Sequence, residues 1–313
     1  MSAKGNWYDR VTSQFVQNAA NIYLQESGIP AFKIFPEVKS GNLKGKIAKY
    51  DADDWFYIGT VADYIRKGAT ESAGDDYTTD SQDYSLLQYS FHKDVTEDEA
   101  NEYESPFGAI RDAVRFVLNR IRRVITLHLI QSYVTTGIWS DDLVGTTDFT
   151  KWSDASSTPV ADVLKWQENI QKVTGFKPNR LLVAPDVHRF LKTNTAVTNI
   201  MKTTETKVVT NQLLAQLFEV DSYEILDTVN SGATGFMMAD KLLLIHTPDN
   251  PSVMEPSAGY TITYRNSQNP LDATKTKRIE METKNNAVRI EVDVHAAPIV
   301  LASDLGVYAS DVV

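Results

Sequence analysis

The sequence predicts an α+β protein organised around one long helix, and three observations carry that expectation. Apolar residues recur every three or four positions from 105 to 137, the repeat of a helix with one buried face. Residues 158–248 alternate amphipathic helices with short, continuous apolar strands, as in a mixed sheet covered by helices. Tyr260, Ile262 and Tyr264, and later Val288, Ile290, Val292 and Val294, alternate with polar residues, the period of half-buried strands.

The composition supports a real core, with 42% apolar and 23% charged residues in a 313-residue chain. Forty-one acidic against 31 basic side chains give a formal charge of -10, which argues against a coat that works by gripping phosphates. No apolar run is long enough to cross a membrane and the first residues do not form a signal peptide, so a soluble, unexported protein is expected, with no membrane partner. The absence of cysteine removes disulfides, thiolate nucleophiles and cysteine metal sites.

In chain order, residues 7–26 place Val11, Phe15, Ala19 and Ile22 on one side of a short amphipathic helix. Pro30 and Pro36 are expected to interrupt regular structure after it. Gly41, Gly45 and Lys46 resemble a phosphate loop only faintly, because the spacing is one residue short and Ile47 replaces the hydroxyl that would hold magnesium. A strand is expected from Lys46, followed by the aromatic run Trp55, Phe56, Tyr57 and Ile58, which needs covering. Residues 68–104 then carry eleven acidic side chains and one basic one, Lys93. That stretch is too polar to own a core, yet Tyr77, Tyr84, Tyr89 and Phe91 are strand-like. It is either a solvated loop or an extended two-stranded arm lying across a neighbour, since an isolated hairpin is marginal in water.

The charge reverses at residue 105. Residues 105–140 contain five arginines and one aspartate. Ser105 suits a helix N-cap and Pro106 the first helical position. The stripe Phe107, Ile110, Val114, Leu118, Ile121, Ile125, Leu129 and Tyr133 predicts a helix of about 30 residues and about 45 Å, ended by Gly137. Arg111, Arg115 and Arg122 lie largely off that stripe with Arg120 and Arg123. They form a solvated face, contacts with an adjacent subunit's acidic arm, or a surface facing a polyanion.

Thr158 and Pro159 open the next helix, with Val160, Val163, Trp166 or Gln167, Ile170 and Val173 as its apolar side and Gly175 as its stop. After the turn at Pro178 and Asn179 come a strand at 180–184, a helix from Pro185, a helix from Thr210, and strands at 223–226 and 242–245. The last segments are the alternating strand at 288–295, a strand through Pro298 to Ala302, and residues 305–308. The strand at 288–295 suits packing on the long helix.

Catalytic chemistry is not indicated, and no cofactor is expected. His92, His128, His188, His246 and His295 are each more than twenty residues apart, so no local metal cluster forms. Asp51, Asp53 and Asp54 lack the glycine and distal glutamate of a calcium loop. Asp75 and Asp76 lie where little can desolvate them for acid catalysis.

The order of these features resembles the major capsid proteins of tailed double-stranded DNA bacteriophages, with the HK97-like fold shared by encapsulin shells. The resemblance rests on IPAFKIFPEV at 29–38, DDWFYIGTVADYIRKGA at 53–69, the long helix, and TPVADVLKWQENIQKVTGFKPNRLLVAPDVHRFLKTN at 158–194. KLLLIHTP at 241–248 and the closing IEVDVHAAPIVLASDLGVYASDVV extend it. It implies an N-terminal arm (1–38), an extended β-hairpin loop (39–104) and a peripheral domain whose first part (105–157) carries the spine helix. An α/β axial domain (158–256) and peripheral strands with a C-terminal return (257–313) complete it. The implied role is structural, not enzymatic: self-assembly into hexameric and pentameric capsomers of an icosahedral virion shell, formed in the host bacterial cytoplasm. Implied partners are other copies, a portal protein, packaged DNA held non-specifically, and possible scaffolding and decoration or cement proteins. No long charged helical prefix precedes the arm, so scaffolding is expected from a separate protein or an absent segment. Inter-subunit candidates are Trp55, Phe56, Tyr57, Lys67, Glu97, Asp98, Glu99, Glu102, Arg111, Arg115 and Arg122. Some relatives cross-link a loop lysine to an asparagine. Lys67, Asn285 or Asn286, and Glu291 are the raw materials here, but Lys67 sits among charged neighbours that keep it protonated, so no cross-link is expected. The alternatives are an encapsulin-like compartment for enzyme cargo and a soluble α/β enzyme.

Overall fold

The computed structural model describes residues 30–49, 65, 80–96, 98–99, 102, 106–203, 210–229, 235–248, 256–264 and 287–313. Their order is α1 (Pro30–Ile34), β1 (Glu37–Ser40), β2 (Lys44–Lys49), β3 (Asp80–Ser85), β4 (Leu87–Thr96), α2 (Pro106–Tyr133), β5 (Asp141–Val144), α3 (Pro159–Thr174), β6 (Arg180–Val183), α4 (Pro185–Thr193), α5 (Thr195–Thr203), α6 (Asn211–Leu217), β7 (Ser222–Ile225), β8 (Lys241–Ile245), β9 (Gly259–Tyr264), β10 (Ala287–Val300) and β11 (Gly306–Ser310). The helix expected at 7–26 and the aromatic run at 55–58 lie outside the described residues. Pro30 opens α1 rather than interrupting structure, because a first helical position needs no N–H.

The chain divides into two units, and one of them comprises residues 1–45, 85–131 and 261–298. Its sheet has the order β1-β9-β10-β4. α2 buries Ile110, Val114, Leu118, Ile121, Ile125 and Leu129, each at most 3% exposed, so the predicted stripe is its inner face. β10 pairs antiparallel with β4 over ten residues, from Ala287↔Thr96 to Ala296↔Leu87. Directly opposed residues share a face, which groups Val288, Ile290 and Val292 with Val95, Lys93 and Phe91. Two expectations change here. Tyr89 and Phe91, read as part of a solvated loop or of an extended arm, are paired in this sheet with Val294 and Val292. The strands expected at 288–295 and through Pro298 are one. The β4 register ends at Ala296, so the missing N–H of Pro298 interrupts no bond of that ladder.

The other unit comprises residues 46–84, 132–260 and 299–313, with a five-stranded sheet in the order β5-β11-β8-β6-β7. β8 lies at its centre, antiparallel to both β11 and β6, and Leu242 through Ile245 are fully buried. β5 and β11, expected with the spine helix's domain, are strands of this sheet instead. Val307, Tyr308 and Ala309, which alternate between the two faces of β11, are all buried.

α3 ends as expected at Gly175, whose φ of 75° is left-handed and whose N–H reaches Gln171 O. Its start and face differ from expectation. The Thr158 side chain makes no capping bond, and Val173 is 64% exposed. Gln167 and Thr174 fill the inner side because both are satisfied there, Gln167 Nε2 donating to Phe218 O (2.8 Å) and Thr174 Oγ1 to Ile170 O (2.8 Å). Trp152 is buried and stacks on Trp166 with ring centroids 6.0 Å apart. α6 is capped by Thr210, whose Oγ1 accepts from Leu213 N–H. The Asn179 turn ties three strands together. Its N–H donates to Ile245 O, its carbonyl accepts from Asp221 and Ser222, and its side chain pairs with both backbone groups of Thr247.

β2 and β3 form a separate two-stranded ribbon. Leu86 N–H donates to Leu43 O (2.9 Å) and Lys46 lies 4.0 Å from Asp83, so the strands run antiparallel.

Candidate inter-subunit surface

A helix that buries one stripe presents its other face outward, and on α2 that face is basic. Arg111, Arg115, Arg120 and Arg123 are exposed, whereas Arg122 is half-buried, its carbonyl accepting from Thr126 Oγ1 (2.8 Å). Among the described residues no carboxylate forms an ion pair with Arg111, Arg115, Arg120 or Arg123. Phe116 (52% exposed) and Val124 (43%) share this face.

β4 supplies the rim. The Phe91 ring lies 5.9 Å from that of Phe116, and the Arg120 guanidinium sits 6.0 Å from the Phe91 centroid, within cation–π range. Further along, Tyr89 Oη and His128 Nδ1 are 2.5 Å apart, fixing the strand to the helix. On the opposite face of the sheet, Arg289 grips Asp94 with Nε (2.6 Å) and Nη2 (2.7 Å). This bidentate bond holds the Asp94 carboxyl below its usual range against the opposing effect of burial.

The expected acidic residues are placed unequally. Asp98 and Glu102 are exposed, linked through Glu102 N–H and Asp98 O (3.2 Å). Glu99 is half-buried and paired with Lys93 of its own chain, because the turn after β4 folds back on that strand. Trp55, Phe56, Tyr57, Lys67, Glu97, Asn285 and Asn286 lie outside the described residues. Phe116 and Val124 were absent from the sequence candidates. Off the stripe they read as single apolar residues, and only the Phe91 ring of β4 makes Phe116 part of a patch.

A surface cavity of about 610 Å³ in the second unit is lined by residues of 146–154, but its lysine, Lys151, is held by Asp311 (2.5 Å). No group of three or more His, Asp or Glu among the described residues is placed to hold a metal. No described helix is long and apolar enough to cross a membrane.

No protein-family profile and no curated protein matches the sequence. Solved structures do match. A phage-related protein from Bordetella bronchiseptica RB50 shares 20% identity over 96% of this chain and 97% of its own, with a TM-score of 0.73. The holo-SrpI encapsulin complex from Synechococcus elongatus PCC 7942 shares 12% identity over 91% and 88%, at 0.56. The satellite phage P4 procapsid shares 11% identity over 95% and 99%, at 0.50. The chain therefore has the HK97-like fold.

Proposed function

We propose that this chain is a major capsid protein that assembles into hexameric and pentameric capsomers of an icosahedral shell enclosing double-stranded DNA. The observation that carries the reading is the match to the phage-related protein along nearly the full length of both chains. The chain's surplus of acidic residues agrees with a shell that holds DNA without gripping it. In this reading residues 1–38 are the arm, the ribbon of β2 and β3 with the connection 50–79 is the extended loop, and the unit built on α2 is the peripheral domain. The five-stranded unit is then the axial domain. Arg111, Arg115 and Arg122 and the acids Glu97, Asp98 and Glu102 contribute charge contacts between copies. A contact between exposed charges is weak, about 0.2–1 kcal/mol, and repetition over a shell makes such contacts count. The portal, scaffolding and decoration partners, and assembly in the host cytoplasm, belong to the same proposal.

The encapsulin match favours a second reading, a compartment for enzyme cargo. The contents of particles purified from the native source separate the two. Nuclease-protected double-stranded DNA of genome length supports the capsid. A protein cargo without such DNA replaces it with the compartment.

A further inference from the structure

The loop that follows β5 encloses the cavity of about 610 Å³, a volume within the range of small-molecule sites, roughly 300–1,000 Å³. Its own bonds hold it in shape. Thr146, at a left-handed φ of 74°, donates its N–H to Phe149 O (2.8 Å), Asp148 N–H reaches Val144 O (3.0 Å), and Trp152 N–H ties the far end to Val312 O (2.7 Å). The half-buried Phe149 ring packs edge-on against Trp166 with centroids 5.2 Å apart, so an aromatic wall is fixed in place.

The polar groups of the cavity are only half used. Asp148 accepts from Val144 N–H through Oδ2 (2.7 Å), and Asp154 accepts from Ser156 N–H (2.8 Å) and Oγ (2.7 Å) through Oδ1. Ser156 thereby holds the Asp154 carboxyl below its usual range. Among the described residues, the second oxygen of each carboxylate has no partner, and neither do the exposed hydroxyls of Thr147, Thr150 and Ser153. An anion is disfavoured there, because two aspartates face it and the single ammonium, Lys151, is paired with Asp311 (2.5 Å). A metal ion finds no third carboxylate or imidazole placed with them among the described residues. A purely apolar ligand would cover these acceptors without satisfying them. A neutral sugar uses the whole wall, since its hydroxyls donate to the carboxylates and its C–H face lies on an aromatic ring.

We propose that this cavity binds a neutral hexopyranose, free or as the terminal residue of a polysaccharide, with Asp148 Oδ1 and Asp154 Oδ2 accepting from its hydroxyls and Phe149 packing on its C–H face. The site lies within one copy of the chain, so its failure leaves the shell reading untouched.

Titration calorimetry of the full chain with the methyl α-glycosides of glucose, galactose and mannose tests it. Saturable binding of at least one is expected, with no binding of glucose 6-phosphate. T150V/S153A removes two exposed hydroxyls without touching a bond of the loop, and should weaken binding about tenfold or more. Asp154→Asn keeps the acceptor for Ser156 but turns the second oxygen into a donor, and should weaken binding as well. Dextran, galactan and mannan are titrated in parallel. Binding of the glycoside alone assigns the site to a free sugar, and binding of the matching polymer too assigns it to a chain end. No saturable binding of any of the three glycosides, unchanged binding by either variant, or binding of glycerol or glucose 6-phosphate as tight as that of the glycosides overturns the proposal.

Discussion

Replacing Asn179 by alanine should destabilise the five-stranded unit by roughly 2–4 kcal/mol. Asn179 Nδ2 donates to Thr247 O (2.8 Å) and its Oδ1 accepts from Thr247 N–H (3.0 Å), so the side chain pairs with Thr247 as a neighbouring strand would. Thr247 is fully buried. Truncation therefore strands one donor and one acceptor away from water, each costing about 1–3 kcal/mol, less whatever a water recovers by entering the space. Asn179→Asp is the informative control. It keeps the acceptor for Thr247 N–H but sets a carboxylate oxygen against Thr247 O, so it should cost at least as much as alanine. Urea unfolding of dissociated subunits, followed by tryptophan fluorescence, reads the difference as a shift of midpoint at constant slope. A loss below about 0.5 kcal/mol for alanine, or an aspartate variant as stable as wild type, would refute the assignment of this side chain as a strand surrogate.

Gly306→Ala should cost about 1–3 kcal/mol by overpacking, because its Cβ would lie 2.2 Å from Cε3 of the buried Trp139; an unchanged urea midpoint contradicts this. His188 is held below its ordinary pKa by burial and by Lys192, and shares a hydrogen bond with Tyr223 Oη (2.8 Å). Its contribution is fully present above the unfolded value of about 6.5 and is lost as pH falls below it, so stability should decline below about pH 6.5 in wild type and decline less in His188→Gln. Asp240 is shifted the other way, raised chiefly by burial and then by Asp311 and Asp186, while its Oδ1 accepts from Val313 N–H (2.6 Å). Its ionised form is the disfavoured one in the fold, so Asp240→Asn should be more stable than wild type at pH 7, and the gap should close as pH falls through the raised folded pKa. A variant less stable than wild type at pH 7 would contradict that sign.

The sequence made α2 legible because one residue type at one spacing persists for many turns, and the stripe from Ile110 to Leu129 is what the helix buries. Gly175 was equally readable, since a left-handed helix stop favours glycine. Long-range pairing was not. β4 and β10 are separated by most of the chain, and period two in each fixes a face but names no partner. The same limit hid β11. Residues 305–308 followed the last strand read from the sequence, and only the ladders to β8 and β5 make β11 a strand of the five-stranded sheet. Val173 misled because periodicity counts apolar side chains and cannot see that Gln167 and Thr174 find acceptors inside. At the surface, the pairing of Glu99 with Lys93 within one chain depends on a turn that composition does not encode. The charge contrast between the acidic stretch and the arginines was plain in the sequence, but the apolar half of the rim was not, because Phe116 needed Phe91 from another element to form a patch.

Whether this fold builds a closed shell is read from electron microscopy of the purified full chain, alongside its sedimentation. Hollow icosahedral particles made of five- and six-subunit clusters are expected, sedimenting as one population far heavier than the 35.0 kDa chain. A stable monomer that remains monomeric at high concentration, across low and high salt, would contradict it.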